Sequence, residues 1–86
     1  MTYWYRMIHA SGAESHWYKN RCTLDMVLGL LRNGYALDSR DSPGLRYELA
    51  SGDSPRYRLP VGVVYMDTVG LVFAQTDGPT FPLEKT

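Results

Sequence analysis

The chain has few of the residues that staple small domains or build catalytic sites. One cysteine in 86 residues excludes an internal disulfide. No apolar run reaches the roughly 20 residues that a membrane-spanning helix requires. The first residues do not show a charged stretch followed by an apolar leader, so we expect a soluble, cytoplasmic protein with no membrane partner. A chain of this length has room for one hydrophobic core.

An excess of charge of one sign is also missing. Nine basic and nine acidic residues give a net charge of zero, which disfavours duplex nucleic acid and anionic lipid as partners. Seven of the nine cations are arginine, beside seven tyrosines and two tryptophans. These side chains dominate the energetic centres of protein–protein interfaces. The plainer explanation is that a β-rich domain uses aromatic residues as strand formers.

Residues 23–34 predict one helix. Thr23 is a good N-cap, and Gly34 suits the left-handed residue that ends a helix. The helical period places one apolar stripe on the buried side, formed by Leu24, Val27, Leu28 and Leu31. Met26, Leu30 and Arg32 are expected at its rim.

Alternating and apolar runs predict strands in the rest of the chain. The predicted strands are residues 2–10, 15–22, 45–50, 56–59, 61–66 and 71–74, with a loop as the alternative for 15–22. Residues 35–37 are expected to be extended and residues 38–44 to form a loop. In the strand 45–50, alternation predicts Leu45, Tyr47 and Leu49 on the inner side.

Two hairpins are expected after the helix. The first pairs Leu49 with Tyr57, which also sets Glu48 opposite Arg58, with a bulge near Pro60 and Gly62. The second joins residues 61–66 to 71–74, and continuous apolar runs predict burial at the sheet centre. The helix is then expected to face Val63, Tyr65 and Val72.

The resulting order, β-β-α-β-β-β-β, predicts an α+β fold: a small antiparallel sheet of about five or six strands with a single helix across one face. A partly closed barrel around the helix is the alternative. Residues 1–86 are expected to form one domain. Within it, residues 76–86 are expected to be an extended tail, which Phe81 and Leu83 pin down or which frays.

The search for catalytic chemistry yields one weak candidate. Cys22 precedes the cap of the helix, where the dipole can favour a thiolate, and His9 or His16 would supply the base. No known family signature surrounds it. The same three side chains lack the spacing and the fourth ligand of a zinc site, and no glycine-rich phosphate loop is present. We therefore expect no catalytic residues, no metal and no cofactor.

A non-enzymatic protein-binding module is the leading functional expectation. By analogy of size alone, it suits a small phage or mobile-element inhibitor, anti-CRISPR proteins among them, that blocks a site on a host protein. A hairpin of residues 2–10 and 15–22, before the helix, is expected to bring the partner-binding residues together, namely Tyr3, Tyr5, Trp17, Tyr18 and Arg21.

Two rival functions remain, one that uses the same aromatic residues and one that uses Cys22. A single-stranded nucleic-acid or nucleotide-binding module would stack bases on these aromatic rings, although the zero net charge counts against it. A small enzyme with Cys22 as its nucleophile is the other. A homodimer through an exposed strand is compatible with each function.

Overall fold

One helix lies across a six-stranded sheet in the computed structural model, which describes residues 1–83. In chain order the elements are β1 (Thr2–Ile8), β2 (Tyr18–Arg21), α1 (Leu24–Asp41), β3 (Arg46–Ser51), a 3-10 turn (Pro55–Tyr57), β4 (Leu59–Asp67), β5 (Gly70–Gln75) and β6 (Thr80–Pro82). The strands pair antiparallel in the order β2-β1-β3-β4-β5-β6. The predicted α+β fold and the order β-β-α-β-β-β-β are confirmed, although residues 80–82 supply the sixth strand in place of the predicted strand 56–59.

The sheet is open, because β2 and β6 are its two edges and do not pair with each other. Both edges are short, with four residues in β2 and three in β6. Lys19 on β2 and Pro82 on β6 further discourage the addition of another strand. None of the helices within residues 1–83 is long and apolar enough to cross a membrane.

The helix begins where the sequence predicts and ends later than predicted. Thr23 caps it, with its Oγ1 accepting from the backbone N–H of Met26 at 3.2 Å. Gly34 does not end the helix, which continues to Asp41. The reason is Tyr35, which extends the buried stripe by one turn and donates from its hydroxyl to the Leu45 carbonyl at 3.1 Å. The predicted extended segment 35–37 and the first part of the predicted loop 38–44 are therefore wrong.

The core forms between one side of α1 and one face of the sheet. From the helix it takes the buried side chains of Val27, Leu28, Leu31 and Tyr35. From the sheet side it takes Tyr3, Leu45, Tyr47, Leu49, Val64, Leu71 and Phe73. The inward alternation predicted for the strand 45–50 is thus confirmed.

In the apolar runs of β4 and β5, the residues that face the helix are not the predicted ones but their neighbours in the chain. Val64 pairs with both Tyr47 and Phe73, and all three belong to the core. Alternation then turns Val63, Tyr65 and Val72 away from α1. A run that is apolar at every position has no period, so the sequence cannot decide which residues face the helix.

The predicted register between β3 and β4 is wrong. Leu49 lies opposite Gly62, and Glu48 lies opposite Val63. Tyr57 belongs to the 3-10 turn, so the predicted strand 56–59 is not formed. The predicted bulge is confirmed, because Ala50 lies opposite Pro60 and the register shifts there.

The C-terminal part combines a confirmed hairpin with an unpredicted strand. β4 and β5 join through a tight turn in which Asp67 pairs with Gly70. Both strands are internal to the sheet. In the expected tail, Thr80–Pro82 instead forms β6, with Phe81 opposite Phe73. The last part of that expected tail, residues 84–86, lies outside the described residues.

Two neighbouring leucines of α1 provide a test of this packing. Leu31 is 2% exposed and Leu30 is 45% exposed. Leu31→Ala should lower the free energy of unfolding by about 2–5 kcal/mol, because it leaves a cavity in the core. Leu30→Ala should change it by less than about 0.5 kcal/mol. Urea denaturation measures both, and equal losses would show that the buried side of α1 is assigned wrongly.

Candidate functional site

The sheet face opposite α1 has no second layer over it within residues 1–83. We call it the open face. It is defined by the strand residues that point away from the helix, which are Thr2, Trp4, Arg6, Ile8, Lys19, Arg21, Arg46, Glu48, Ala50, Pro60, Val63, Tyr65, Asp67, Val72, Ala74, Thr80 and Pro82.

Cations and indole rings alternate along one side of the open face. The Nζ of Lys19 lies 5.6 Å from the centre of the Trp4 ring. The Cζ of Arg58 lies 5.4 Å from that ring and 4.4 Å from the centre of the Trp17 ring. The Cζ of Arg6 lies 4.5 Å from the centre of the Trp17 ring. We call this series, from Lys19 through Trp4, Arg58 and Trp17 to Arg6, the Trp–Arg ladder; each neighbouring pair attracts through the ring quadrupole.

Strand pairing and one hydrogen bond position the Trp4 end of the ladder. Trp4 pairs with Lys19 across β1 and β2, which places both side chains on the open face. The Nε1 of Trp4 donates to the Gly52 carbonyl at 3.0 Å, so this indole, only 7% exposed, keeps its polar group satisfied. Gly52 follows β3, so the bond links the end of that strand to β1.

The other end of the ladder comes from segments outside the regular strands. Trp17 immediately precedes β2, and Arg58 immediately precedes β4. Arg58 contacts both indoles, and it therefore connects the start of β4 with β1 and with the segment that leads into β2. Three parts of the chain that are distant in sequence meet in this way.

Arg6 is held by two carboxylates. Its Nε lies 2.6 Å from Glu48 Oε1, and its Nη2 lies 2.8 Å from Glu14 Oε2. These are the two ion pairs found within residues 1–83, and both involve Arg6. The remaining cations on this side, Lys19, Arg21, Arg46 and Arg58, therefore have no carboxylate within 4.0 Å among the described residues.

Charge is distributed unevenly between the two sides of the molecule. The open face and its ladder carry five cations, Arg6, Lys19, Arg21, Arg46 and Arg58, against the carboxylates of Glu14, Glu48 and Asp67. The whole chain has a net charge of zero. The other surfaces must therefore carry the compensating negative charge, and a neutral chain presents one locally basic face.

The five predicted contact residues do not form one surface. Tyr3 is 7% exposed and belongs to the core beneath α1. Tyr5 and Tyr18 lie on the same side as Tyr3 and stack on each other, with ring centres 5.3 Å apart. Only Trp17 and Arg21 belong to the opposite side. The alternation of β1 and β2 causes this division, because residues one position apart point to opposite faces.

Sequence reasoning missed four members of the ladder as contact residues. Trp4 and Arg6 alternate with Tyr3 and Tyr5, and the period of the strand could have grouped them on one face with Lys19. Arg58 was assigned to a pair with Glu48, whereas Glu48 binds Arg6. No local signal in the sequence places Arg58 over two tryptophans, because its position depends on how the segment before β4 folds back.

A tyrosine cluster on the helix side has structural contacts. The hydroxyl of Tyr47 donates to Asp38 Oδ2 at 2.5 Å, and the rings of Tyr5 and Tyr35 pack edge-on against Tyr47. Burial, followed by the hydrogen bond to Asp38, raises the pKa of Tyr47 far above its usual value of 10.0. Burial also raises the pKa of Tyr5 and of Tyr35. All three hydroxyls therefore stay protonated at neutral pH.

The candidates for cysteine or metal chemistry lie in structural surroundings. Cys22 is half-buried and packs against the core. The Nδ1 of His9 and the Oγ of Ser42 share a hydrogen bond of 2.6 Å, and the ring centre of His16 lies 4.4 Å from that of Tyr18. Within residues 1–83, no group of three or more His, Cys, Asp or Glu side chains is arranged to hold a metal ion.

Comparisons of the chain with known protein families, with curated proteins and with solved structures gave no match. Its function is therefore argued from the geometry of the open face.

The coupling between Trp17 and Arg58 can be measured. In a double-mutant cycle of Trp17→Ala and Arg58→Ala, we expect a coupling energy of about 0.5–1 kcal/mol, since the pair is only partly exposed. Urea denaturation of the four proteins gives the value. Arg56→Ala, two residues away in the 3-10 turn, is the matched control and should be additive with Trp17→Ala. If the losses of unfolding free energy caused by Trp17→Ala and Arg58→Ala also add, the contact between Trp17 and Arg58 contributes nothing to stability.

The tyrosine cluster predicts a loss of stability at alkaline pH. Because folding raises these pKa values above 10.0, the folded state holds protons that the unfolded state releases. Stability should be constant below about pH 9 and fall above pH 10.0, by at most about 1.4 kcal/mol per pH unit for each tyrosine. Denaturation curves between about pH 8 and pH 11 measure the slope.

Two phenylalanine variants identify the source of this slope. Tyr47→Phe should reduce it, and Tyr57→Phe, at a tyrosine that is 74% exposed, should leave it unchanged. An alkaline slope that is the same in wild type and Tyr47→Phe would contradict the assignment.

Proposed function

We propose that this chain is a non-enzymatic binding module that uses its open face to bind another protein. The observation that carries the proposal is the Trp–Arg ladder, which lies on a sheet face that no other element of residues 1–83 covers. Arginine is among the side chains most enriched at the energetic centres of protein interfaces. Here the two indoles hold Arg6 and Arg58 in packed positions on that face.

The ladder also lowers the cost of binding. Arg58 is held by two indoles, and Arg6 by one indole and two carboxylates. A long side chain that is already ordered loses less rotamer entropy when a partner binds, by about 0.5–1.5 kcal/mol for each chain. These arginine side chains of the open face are therefore already ordered before a partner binds.

The neighbouring part of the open face is apolar. Val63, Tyr65 and Ala74 lie half-buried on β4 and β5, beside Arg46 and Glu48 of the neighbouring strand β3. An apolar area beside polar and charged residues is the usual composition of a protein interface. The short, blunted edges β2 and β6 favour binding through this face rather than by strand addition.

The proposed mode of action is to cover a site on a host protein. A small domain with a flat contact face can block a larger surface without chemistry of its own, as phage and mobile-element inhibitors do, anti-CRISPR proteins among them. This part of the proposal rests on analogy of size and shape. It places the module in the cytoplasm, where it would meet such a partner.

Single-stranded nucleic acid is the second candidate partner. The excess of cations on the open face favours it, and guanidinium groups can stack on bases as indoles do. The rings of Trp4 and Trp17 count against it. Trp4 is 7% exposed, and Trp17 already has two guanidinium groups within 4.5 Å of its centre. Little aromatic surface is therefore open to a base.

The test is affinity capture from the native host with two charge-matched variants. Lys19→Glu/Arg21→Glu alters the open face, and Arg32→Glu/Arg40→Glu makes the same change in net charge on α1. A protein captured by wild type should be lost with the first variant and retained with the second. Circular dichroism checks that both variants fold.

Other capture results would contradict the proposal. Equal capture by wild type and both variants, or loss only with the α1 variant, would exclude the open face as the contact surface. Capture that depends on the open face but disappears after nuclease treatment would favour the single-stranded nucleic-acid candidate.

A further inference from the structure

Resting on the proposed function, we infer that the open face binds a carboxylate-rich, extended polypeptide segment of its partner. The starting observation is the set of cations that the chain leaves without carboxylates. Within residues 1–83, Lys19, Arg21, Arg46 and Arg58 have no acidic group within 4.0 Å, because Glu14 and Glu48 are bound to Arg6 and Asp67 lies at the last position of β4. The face therefore has unused capacity for anionic groups.

The spacing of these cations suits an extended chain. Lys19 and Arg21 occupy alternate positions of β2 and point to the same face. Alternate residues of a strand are about 6.6 Å apart, which is also the separation of alternate side chains in an extended ligand. Acidic side chains at every second position of such a segment can meet Lys19 and Arg21 in succession.

Arg6 shows how carboxylates bind at this face. Two separate groups, Glu48 and Glu14, approach its Nε and Nη2 at 2.6 and 2.8 Å. These are the distances of charge-assisted hydrogen bonds, which are stronger than neutral ones. Arg58, held in place by the two indoles, presents the same chemical group, and no carboxylate of residues 1–83 lies within ion-pair distance of it.

Discrete carboxylates fit this face better than a phosphate backbone. Glu14 and Glu48 are both bound to Arg6, and they would repel a phosphate placed beside that residue. An acidic peptide can place its charges opposite Lys19, Arg21 and Arg58 and place neutral residues opposite the two carboxylates. The covered rings of Trp4 and Trp17 remove the stacking energy that would otherwise favour a nucleic acid.

The experiment measures binding of a labelled oligoglutamate peptide of about ten residues by fluorescence anisotropy at low salt, where exposed charge pairs are least screened. The Kd should rise by about tenfold or more for Lys19→Glu/Arg21→Glu. It should stay within about twofold for Arg32→Glu/Arg40→Glu, which has the same net charge. Lys19→Gln/Arg21→Gln, a milder change, should give an intermediate loss.

Three results would overturn the inference. They are no binding of oligoglutamate at low salt, an equal loss with the two charge-matched variants, and tighter open-face binding of oligothymidylate of similar charge than of oligoglutamate. If oligoglutamate fails while host-protein capture still depends on the open face, the acidic ligand is wrong and the proposed function stands. If oligoglutamate binds through Lys19 and Arg21 while capture does not depend on them, the proposed function is the one that fails.

Discussion

A single helix can bury only one face of a sheet, and this constraint governs the whole molecule. α1 packs its stripe of Val27, Leu28, Leu31 and Tyr35 against one side of the strands. That contact buries the eleven side chains of the core cluster, and the burial of apolar surface is the main source of stability in a folded domain. The same contact leaves the other side of the sheet without a layer. The packing of α1 on one face of the sheet therefore both stabilises the fold and leaves the open face exposed.

The open face is stabilised by different chemistry from the core. A second apolar layer is replaced by guanidinium and ammonium groups that lie over two indoles, by one indole N–H bond and by a carboxylate pair on Arg6. The Arg6 side chain keeps 24% of its surface exposed, so its charge is only partly removed from water. The face can thus be ordered while its charged groups stay accessible.

The way in which charge is divided between the two faces of the sheet matters more for binding than the net charge of the chain. The zero net charge predicts a weak overall field, and it says nothing about how the charges divide between two faces. Period-two alternation in β1 and β2 places Arg6, Lys19 and Arg21 together on the open face and the tyrosines on the helix side. Trp17 and Arg21 lie on the opposite side of the sheet from Tyr3 and Tyr5, and the neighbours of Trp17 are Arg6 and Arg58.

Local chemistry in the sequence determined the start of α1 at Thr23, its buried stripe, the inward residues of β3, the β4–β5 turn and the bulge near Pro60. Each of these depends on contacts or backbone preferences within a few residues. Only the tertiary structure decided the end of α1, the β3–β4 register and which residues of the apolar runs face the helix. Tyr35 carries the helix past Gly34 because burial outweighs a local stop signal, and Arg58 reaches two tryptophans because a distant segment folds back over them. These outcomes depend on contacts between residues far apart in the chain, which no local pattern encodes.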